Sequence, residues 1–302
     1  MYLEISNIAA ALGKNPYEPK ELIQLLLWAR INPGTLLDFL LNTGLIINHD
    51  KEEKELMEID DKMSCAYNEI NKNIDKKKFT ALDIKSTTEK VVEKYKEMRP
   101  NCTDEEVKVL EDSAKKQFIK ENGNIQEHKT IENKNYKKGN NKMYYFNITD
   151  KDVIGGRHDA DTTDDIVIEI KARTTERNVR KNEYDLYQLI GYLICMNKTK
   201  GKIVQNYNKK IYDSDEMNDK EYGLVDINDS QWSKYIDEIK SNLVSFFYET
   251  EQIIHKQTFE PENIKKITKF GLIAELTIDG TFININQKFK KIISMIENNI
   301  SC

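Results

Sequence analysis

A chain of 302 residues, 39% hydrophobic and 32% charged, is long enough to bury a substantial core as one large domain or one with an appended lobe. Lys and Arg number 46 against 51 Asp and Glu, so a net charge of -5 makes it neither a polybasic arm nor an acidic tail. Any nucleic-acid contact then needs a local basic patch. Cys65, Cys102, Cys195 and Cys302 lie far apart without a CxxC pair, which argues against a disulfide framework or a cysteine metal cluster. The opening "MYLEISNIAAALG" lacks the basic and apolar regions of a signal peptide. No stretch approaches the roughly 18 apolar residues of a membrane span. The expectation is a soluble, intracellular protein without a membrane partner.

From the N-terminus, "ISNIAAALG" reads as a short helix ending at Gly13, and "NPYEPKELIQLLLWARI" restarts helix after Pro16 and Pro19. "GTLLDFLLNTGL" adds another. Residues 50–100 are highly charged with helical periodicity and read as a helical insertion. Thr103 and Glu106 form a capping box for "TDEEVKVLEDSAKKQFIKENG", with Gly123 as its stop signal. Residues 125–148 then read as two strands around the polar "NKNYKKGNNK", residues 152–173 as a hairpin and residues 183–197 as an apolar helix. "GKIVQNY" and "YGLVDIN" read as strands, and "SQWSKYIDEIKSNLVSFFYE" as a long amphipathic helix. Two short strands and a helix close the chain. This order predicts a mixed α/β core, with a main domain over residues 1–250 and an extension over 251–302.

Strand alternation in "IVIEIKAR" puts Ile166, Ile168 and Ile170 on one face and Val167, Glu169 and Lys171 on the other. A hairpin brings Asp159, upstream across "DADTTDD", back beside Glu169. Two carboxylates and a Lys then converge, and such oxygen ligands suit Mg²⁺ or Mn²⁺. Taken alone, "EIK" reads as a solvated ion pair, and "LDIK" at 82–85 is a decoy with the same pattern. On the helix after Thr103, Glu111 falls within the stripe of Val107, Leu110, Ala114 and Phe118. An inward carboxylate there is paired, metal-bound or at the stripe edge. Gln188 and Tyr192 share one face of the apolar helix at i, i+4. In "KARTTERNVRK", Arg173, Arg177, Arg180 and Lys181 make a basic loop suited to phosphates.

In this order, "GGRHD", "EIK" and "QLIGY", preceded by a helix with an inward Glu, resemble the PD-(D/E)xK nuclease superfamily. Within it the chain is similar to the phage lambda exonuclease and YqaJ-type viral recombinase nucleases, whose opening motif "SNIAAALGKNPYEP" resembles. The resemblance implies a restriction-endonuclease-like core and Mg²⁺-dependent cleavage of double-stranded DNA from free ends, in viral or phage recombination or repair. By position, Glu111 is the helix carboxylate, Asp159 and Glu169 are metal ligands with the Ile170 carbonyl, Lys171 is the catalytic lysine, and Gln188 and Tyr192 match the QxxxY motif. Ser6 would bind a 5′-phosphate at a helix N-terminus, without the Arg such enzymes add, unless Lys14 or Lys20 replaces it. Self-association and a single-strand annealing partner are further implications. His158 stands where the name-giving Pro would be.

Overall fold

The structure, a computed structural model, describes residues 1–49, 53–76, 78–139, 141–174, 183–207, 210–212, 224–278, 280–283, 285–286 and 288–300. In chain order the elements begin with β1 (Tyr2–Glu4), a 3-10 turn (Ile5–Asn7), α1 (Ile8–Ala11), α2 (Lys20–Ile31), α3 (Pro33–Asn42) and β2 (Ile46–His49). Then come α4 (Glu53–Lys72), α5 (Asp83–Met98), α6 (Asp104–Lys134), β3 (Lys137–Lys138), β4 (Tyr144–Asn147), β5 (Val153–Gly156), β6 (Ala160–Asp161) and β7 (Val167–Ala172). The remainder is α7 (Glu183–Met196), β8 (Lys200–Tyr207), β9 (Lys210–Tyr212), β10 (Val225–Asp226), α8 (Ser230–Lys256), α9 (Pro261–Lys269), β11 (Ala274–Thr277), β12 (Phe282–Ile283) and α10 (Lys290–Ile300). The fold is mixed α/β. None of the described helices is long and apolar enough to cross a membrane.

The chain divides into two units, Met1–Leu27 with Gly123–His255, and Trp28–Asn122 with Lys256–Cys302. The sequence reading kept residues 1–250 together, whereas the division groups residues 28–122 with the C-terminal residues. Two ladders and a ring cluster account for the grouping. β2 runs parallel to β11, which pairs antiparallel with β12. Trp28, Phe39 and Phe259 stack with ring centroids 5.2 to 6.3 Å apart. In the same unit Phe118 of α6 meets Tyr67 of α4 and Phe79. The decoy "LDIK" opens α5: Asp83 accepts from the Thr80 amide and hydroxyl at 2.8 Å, and exposed Lys85 faces Glu89 at 3.9 Å.

In the first unit, β7, α7 and β8 form a parallel crossover, with Val167 opposite Gly201 and Lys171 opposite Gln205. The six-stranded sheet runs β10-β8-β7-β6-β3, with β9 on β8, and a three-stranded sheet runs β1-β5-β4. Both faces of β7 are covered, as parallel strands require. Val167 packs with Leu186, Leu189, Ile190 and Leu193 of α7 and with Trp232, Ile239 and Phe246 of α8. Ile168 and Ile170 pack with Ala160, Val204 and Ile131 of α6. The N-terminal segment belongs to this core: β1 lies parallel to β5, and the 3-10 turn and α1 rest on α7. Gly191 permits that approach, since a Cβ there would meet Ile8 Cδ1 at 2.7 Å and Ile5 Cγ2 at 3.0 Å.

Two local readings are corrected. α6 does not stop at Gly123 but continues to Lys134, so residues 125–134 are helix and not strand. An isolated glycine costs a helix only about 1 kcal/mol, and burial of Phe118 before it and Ile131 after it outweighs that. β3 and β4 do not pair with each other. β3 joins β6, with Lys138 opposite Ala160, while β4 joins β5. The cap is half as expected: the Glu106 amide donates to Thr103 Oγ1 at 3.2 Å, but the Glu106 carboxylate accepts from Tyr95 and Arg99.

Candidate active site

The β6–β7 register sets Ala160 opposite Ile168, which places Asp159 one step on, beside Glu169. Asp159 Oδ2 accepts from the Ile170 amide at 2.7 Å, so the strand backbone fixes this carboxylate. Edge strand β3 closes over the same point: the Gly139 amide donates to the Asp159 carbonyl at 2.9 Å. A Cβ on Gly139 would fall 2.4 Å from the His158 carbonyl oxygen, so only glycine fits. His158, at the position of the motif's Pro, is buried, and its Nε2 lies 2.7 Å from Asp161 Oδ2.

Glu169 is buried. One carboxylate oxygen, Oε1, lies 2.7 Å from Lys171 Nζ, while Oε2 is buried with no hydrogen-bond partner among the described residues. Lys171 also donates to Gln188 Oε1 at 2.6 Å, and Asp185 Oδ1 lies 3.9 Å from its ammonium. Gln188 Nε2 in turn donates to the Tyr192 hydroxyl at 3.4 Å. The i, i+4 pair on α7 is thus a relay that orients the lysine.

Electrostatics mark the cluster as strained in charge. Burial pushes Asp159 up to about 6, with the Glu127 carboxylate adding to it. Burial, then repulsion from Asp159, pushes Glu169 up to about 8. Glu127 is raised by burial and by Glu169. Burial alone would lower Lys171, but Glu169 and Asp185 outweigh it and hold the ammonium above its ordinary value. Four carboxylates, Asp159, Glu169, Asp185 and Glu127, thus lie near Lys171 and buried Arg173, with Lys138 acting on Glu127 from the surface. A buried oxygen without a donor, among carboxyls that repel one another, fits a divalent cation. The set is not closed, however: no group of three or more His, Cys, Asp or Glu side chains is arranged to hold a metal ion among the described residues.

Several sequence-based assignments move. Glu111 is exposed, because the buried stripe of α6 is the i+4 row Leu110, Ala114 and Phe118, and Glu111 lies about 100° off the first of these. The carboxylate that α6 brings to Asp159 and Glu169 is Glu127, roughly four turns further on. Its signal is the spacing to Ile131, one turn later and buried against Ile168, which is legible once the helix is carried through Gly123. Arg173 is not a loop residue open to phosphate. It is buried, paired with Asp185, and its Nε donates to Gln205 Oε1 at 2.7 Å. Tyr192 is buried too, its ionisation opposed first by burial and then by Glu169, so it positions Gln188 and offers no surface to DNA.

Ser6 lies exposed in the 3-10 turn, and α1 behind it spans only four residues, too short for the aligned dipole of a phosphate-binding N-terminus. The cations named as replacements are engaged with α8: Lys14 lies 3.6 Å from Glu238 and Lys20 2.6 Å from Glu249. Arg177, Arg180 and Lys181 lie outside the described residues. Exposed Lys138, on the β3 edge, is a described cation whose charge reaches Glu127.

Exchanging the two helix carboxylates as site candidates gives a direct test. Glu127→Gln is expected to weaken Mg²⁺ binding roughly 10- to 100-fold, as loss of a supporting carboxylate does, while Glu111→Gln leaves it unchanged. Isothermal titration of both variants decides, and equal effects would return Glu111 to candidacy.

No family model and no curated protein matches the chain. A solved structure titled "Crystal structure of SSO0001" is similar over 59% of this chain and 82% of its own, with 14% identity and a TM-score of 0.30.

Proposed function

We propose that the chain is a Mg²⁺- or Mn²⁺-dependent DNA nuclease with a restriction-endonuclease-like core built from β6, β7, α7 and β8, acting on linear double-stranded DNA from its ends. The observation that carries this is buried Glu169 beside Lys171 on the strand facing Asp159, its Oε2 without a donor among the described residues and its carboxylate coupled by charge to Asp159 and Glu127. Asp159 and Glu169 would hold the cation, with Glu127 as a supporting carboxylate. When bound, it lowers the pKa of coordinated water and offsets charge gathering on the phosphoryl oxygens.

The chain's own groups do the rest. The Ile170 amide keeps Asp159 turned toward Glu169. Gln188, steadied by Tyr192, points the Lys171 ammonium at the reacting phosphate, where a held cation stabilises charge as it develops. Its raised pKa keeps it protonated at neutral pH, which suits it to electrostatic stabilisation and not to acting as a base.

Digestion of end-labelled linear, nicked and covalently closed duplexes, with Mg²⁺ and with chelator, tests the reading. Chelator-sensitive loss of linear DNA alone supports an exonuclease. Cleavage of closed circles makes the protein an endonuclease, and no cleavage of any of the three rejects the proposal.

A second reading has its own observation. Lys171 already neutralises one oxygen of Glu169, as in a nuclease fold kept only to bind DNA or a partner. That reading requires no response of the melting temperature to Mg²⁺.

With Arg173 committed to Asp185, phosphate binding in this proposal falls to Arg177, Arg180 and Lys181. Replacing all three by Ala is expected to weaken duplex binding and to flatten its salt dependence by roughly 0.9 in log–log slope for each phosphate no longer neutralised. An unchanged slope in fluorescence anisotropy would remove these three residues from the binding surface.

A further inference from the structure

Behind Lys171 lies a second buried ion pair that the nuclease reading does not use. Asp185, on the first turn of α7, is fully buried. Its Oδ2 pairs with the buried Arg173 guanidinium, and its Oδ1 has no hydrogen-bond partner among the described residues while facing Lys171 Nζ at 3.9 Å. Arg173 is gripped from three further directions: its amide donates to the Asn206 carbonyl at 2.7 Å, its Nε to Gln205 Oε1 at 2.7 Å, and its Nη1 to the Tyr184 hydroxyl at 3.5 Å. Arg173, just past the end of β7, thus ties that end to both β8 and α7.

A lysine ammonium has three protons and a flexible stem of four carbons, so a single carboxylate does not fix it. Lys171 gives two of its protons to Glu169 and Gln188. The one remaining charge facing it from α7 is the Asp185 carboxylate, held still by a planar guanidinium fork. A carboxylate in this place without Arg173 would swing freely or stay protonated in so dry a setting. We propose that Asp185, braced by Arg173, is the positioning residue of Lys171: it holds the ammonium on the α7 side of Glu169, leaving Glu169 Oε2 free. The role rests on the nuclease reading only for its consequence in catalysis, since the placement of the lysine is a property of the folded chain alone.

A purely structural role for the pair makes a different prediction, so both charges are removed together. Asp185→Asn alone strands a buried guanidinium and is expected to lower stability. The double variant Asp185→Asn with Arg173→Gln leaves no buried unpaired charge, and its circular dichroism and melting are expected to return toward the parent values. Two readouts are then taken on the folded double variant. The first is the nitrogen-resolved NMR signal of the Lys171 ammonium, assigned by its loss in Lys171→Met; it needs no substrate. It is expected to be visible in the parent protein and lost to solvent exchange in the double variant. The second is Mg²⁺-dependent cleavage, expected to fall roughly 10- to 100-fold in kcat with KM unchanged, the scale of a missing supporting group.

Persistence of the ammonium signal in the folded double variant overturns the proposal, whatever the protein cleaves. Loss of the signal in a protein that cuts no DNA supports the placement and rejects the nuclease reading. Cleavage that recovers along with stability assigns the pair to folding alone.

Discussion

Asp159→Asn, Glu169→Gln and Lys171→Met are each expected to lower Mg²⁺-dependent cleavage by at least about 10²- to 10³-fold, the loss seen when one transition-state interaction is removed. The substitutions are close in shape, so packing of β7 against Leu186, Leu189 and Ile190 of α7 survives them. They differ in kind. Asp159→Asn keeps an acceptor for the Ile170 amide but removes a charge that the proposal assigns to the metal. Glu169→Gln leaves Lys171 with Asp185 and Gln188 and replaces a carboxylate whose Oε2 is buried without a donor among the described residues. Lys171→Met keeps both carboxylates, so it is expected to retain metal binding while losing turnover. Asp83→Ala and Lys85→Ala serve as controls. Lys85 is solvent-exposed, and Asp83 only ties the Thr80 amide and hydroxyl ahead of α5, so the pair is expected to leave cleavage unchanged and Asp83→Ala to cost about 1 kcal/mol of stability. Parent-like rates in any of the first three variants would remove that residue from the site.

The metal-free protein is expected to lose stability as pH rises from about 4 to 8. Asp159 is raised from 3.8 to about 6 and Glu169 from 4.5 to about 8, so between the unfolded and folded values the native state holds more protons. Unfolding then releases protons, and the slope of stability against pH is negative in that window. Asp159 alone, partly exposed and discounted for it, costs roughly 2 kcal/mol by pH 7 at about 1.4 kcal/mol per pKa unit. For 302 residues, at about 2.1 cal/mol/K of unfolding entropy per residue, that is roughly 3 °C of melting temperature. Glu169→Gln is expected to flatten the decline and to melt above the parent protein at pH 8. Added Mg²⁺ is expected to raise the melting temperature at pH 8, where the carboxylates must ionise, and to do little at pH 5. Stability that instead climbs across this window would mean that Lys171 and Arg173 hold the carboxylates ionised, and the case for an added cation would fall.

Much of the site was legible one strand or helix at a time. Alternation in "IVIEIKAR" separated Ile168 and Ile170 from Glu169 and Lys171, and the structure keeps them on opposite faces. The i, i+4 spacing of Gln188 and Tyr192 put both on the face where they now steady Lys171. The decoy at 82–85 was separable because no carboxylate-bearing hairpin precedes it, and it forms a helix start. The α6 carboxylate was misread for a local reason. Gly123 is a strong stop signal, and a helix ended there leaves Glu111 as its one candidate and hides Glu127.

By itself, then, the sequence determined which residues share a face: side-chain direction follows from backbone period, and period is written in neighbouring residues. It determined the strand that carries Glu169 and Lys171, the apolar helix after it and the mixed α/β character. Tertiary structure alone decided which elements lie over that strand. β1 pairing with β5, β3 pairing with β6, and α6 continuing past Gly123 all depend on partners far along the chain. The fate of Arg173 has the same origin. Nothing local distinguishes it from the basic residues that follow, yet the parallel β7–β8 register brings Gln205 and Asn206 alongside, and α7 supplies Asp185. A charge is buried only where a matching group arrives from elsewhere, and long-range packing decides that meeting.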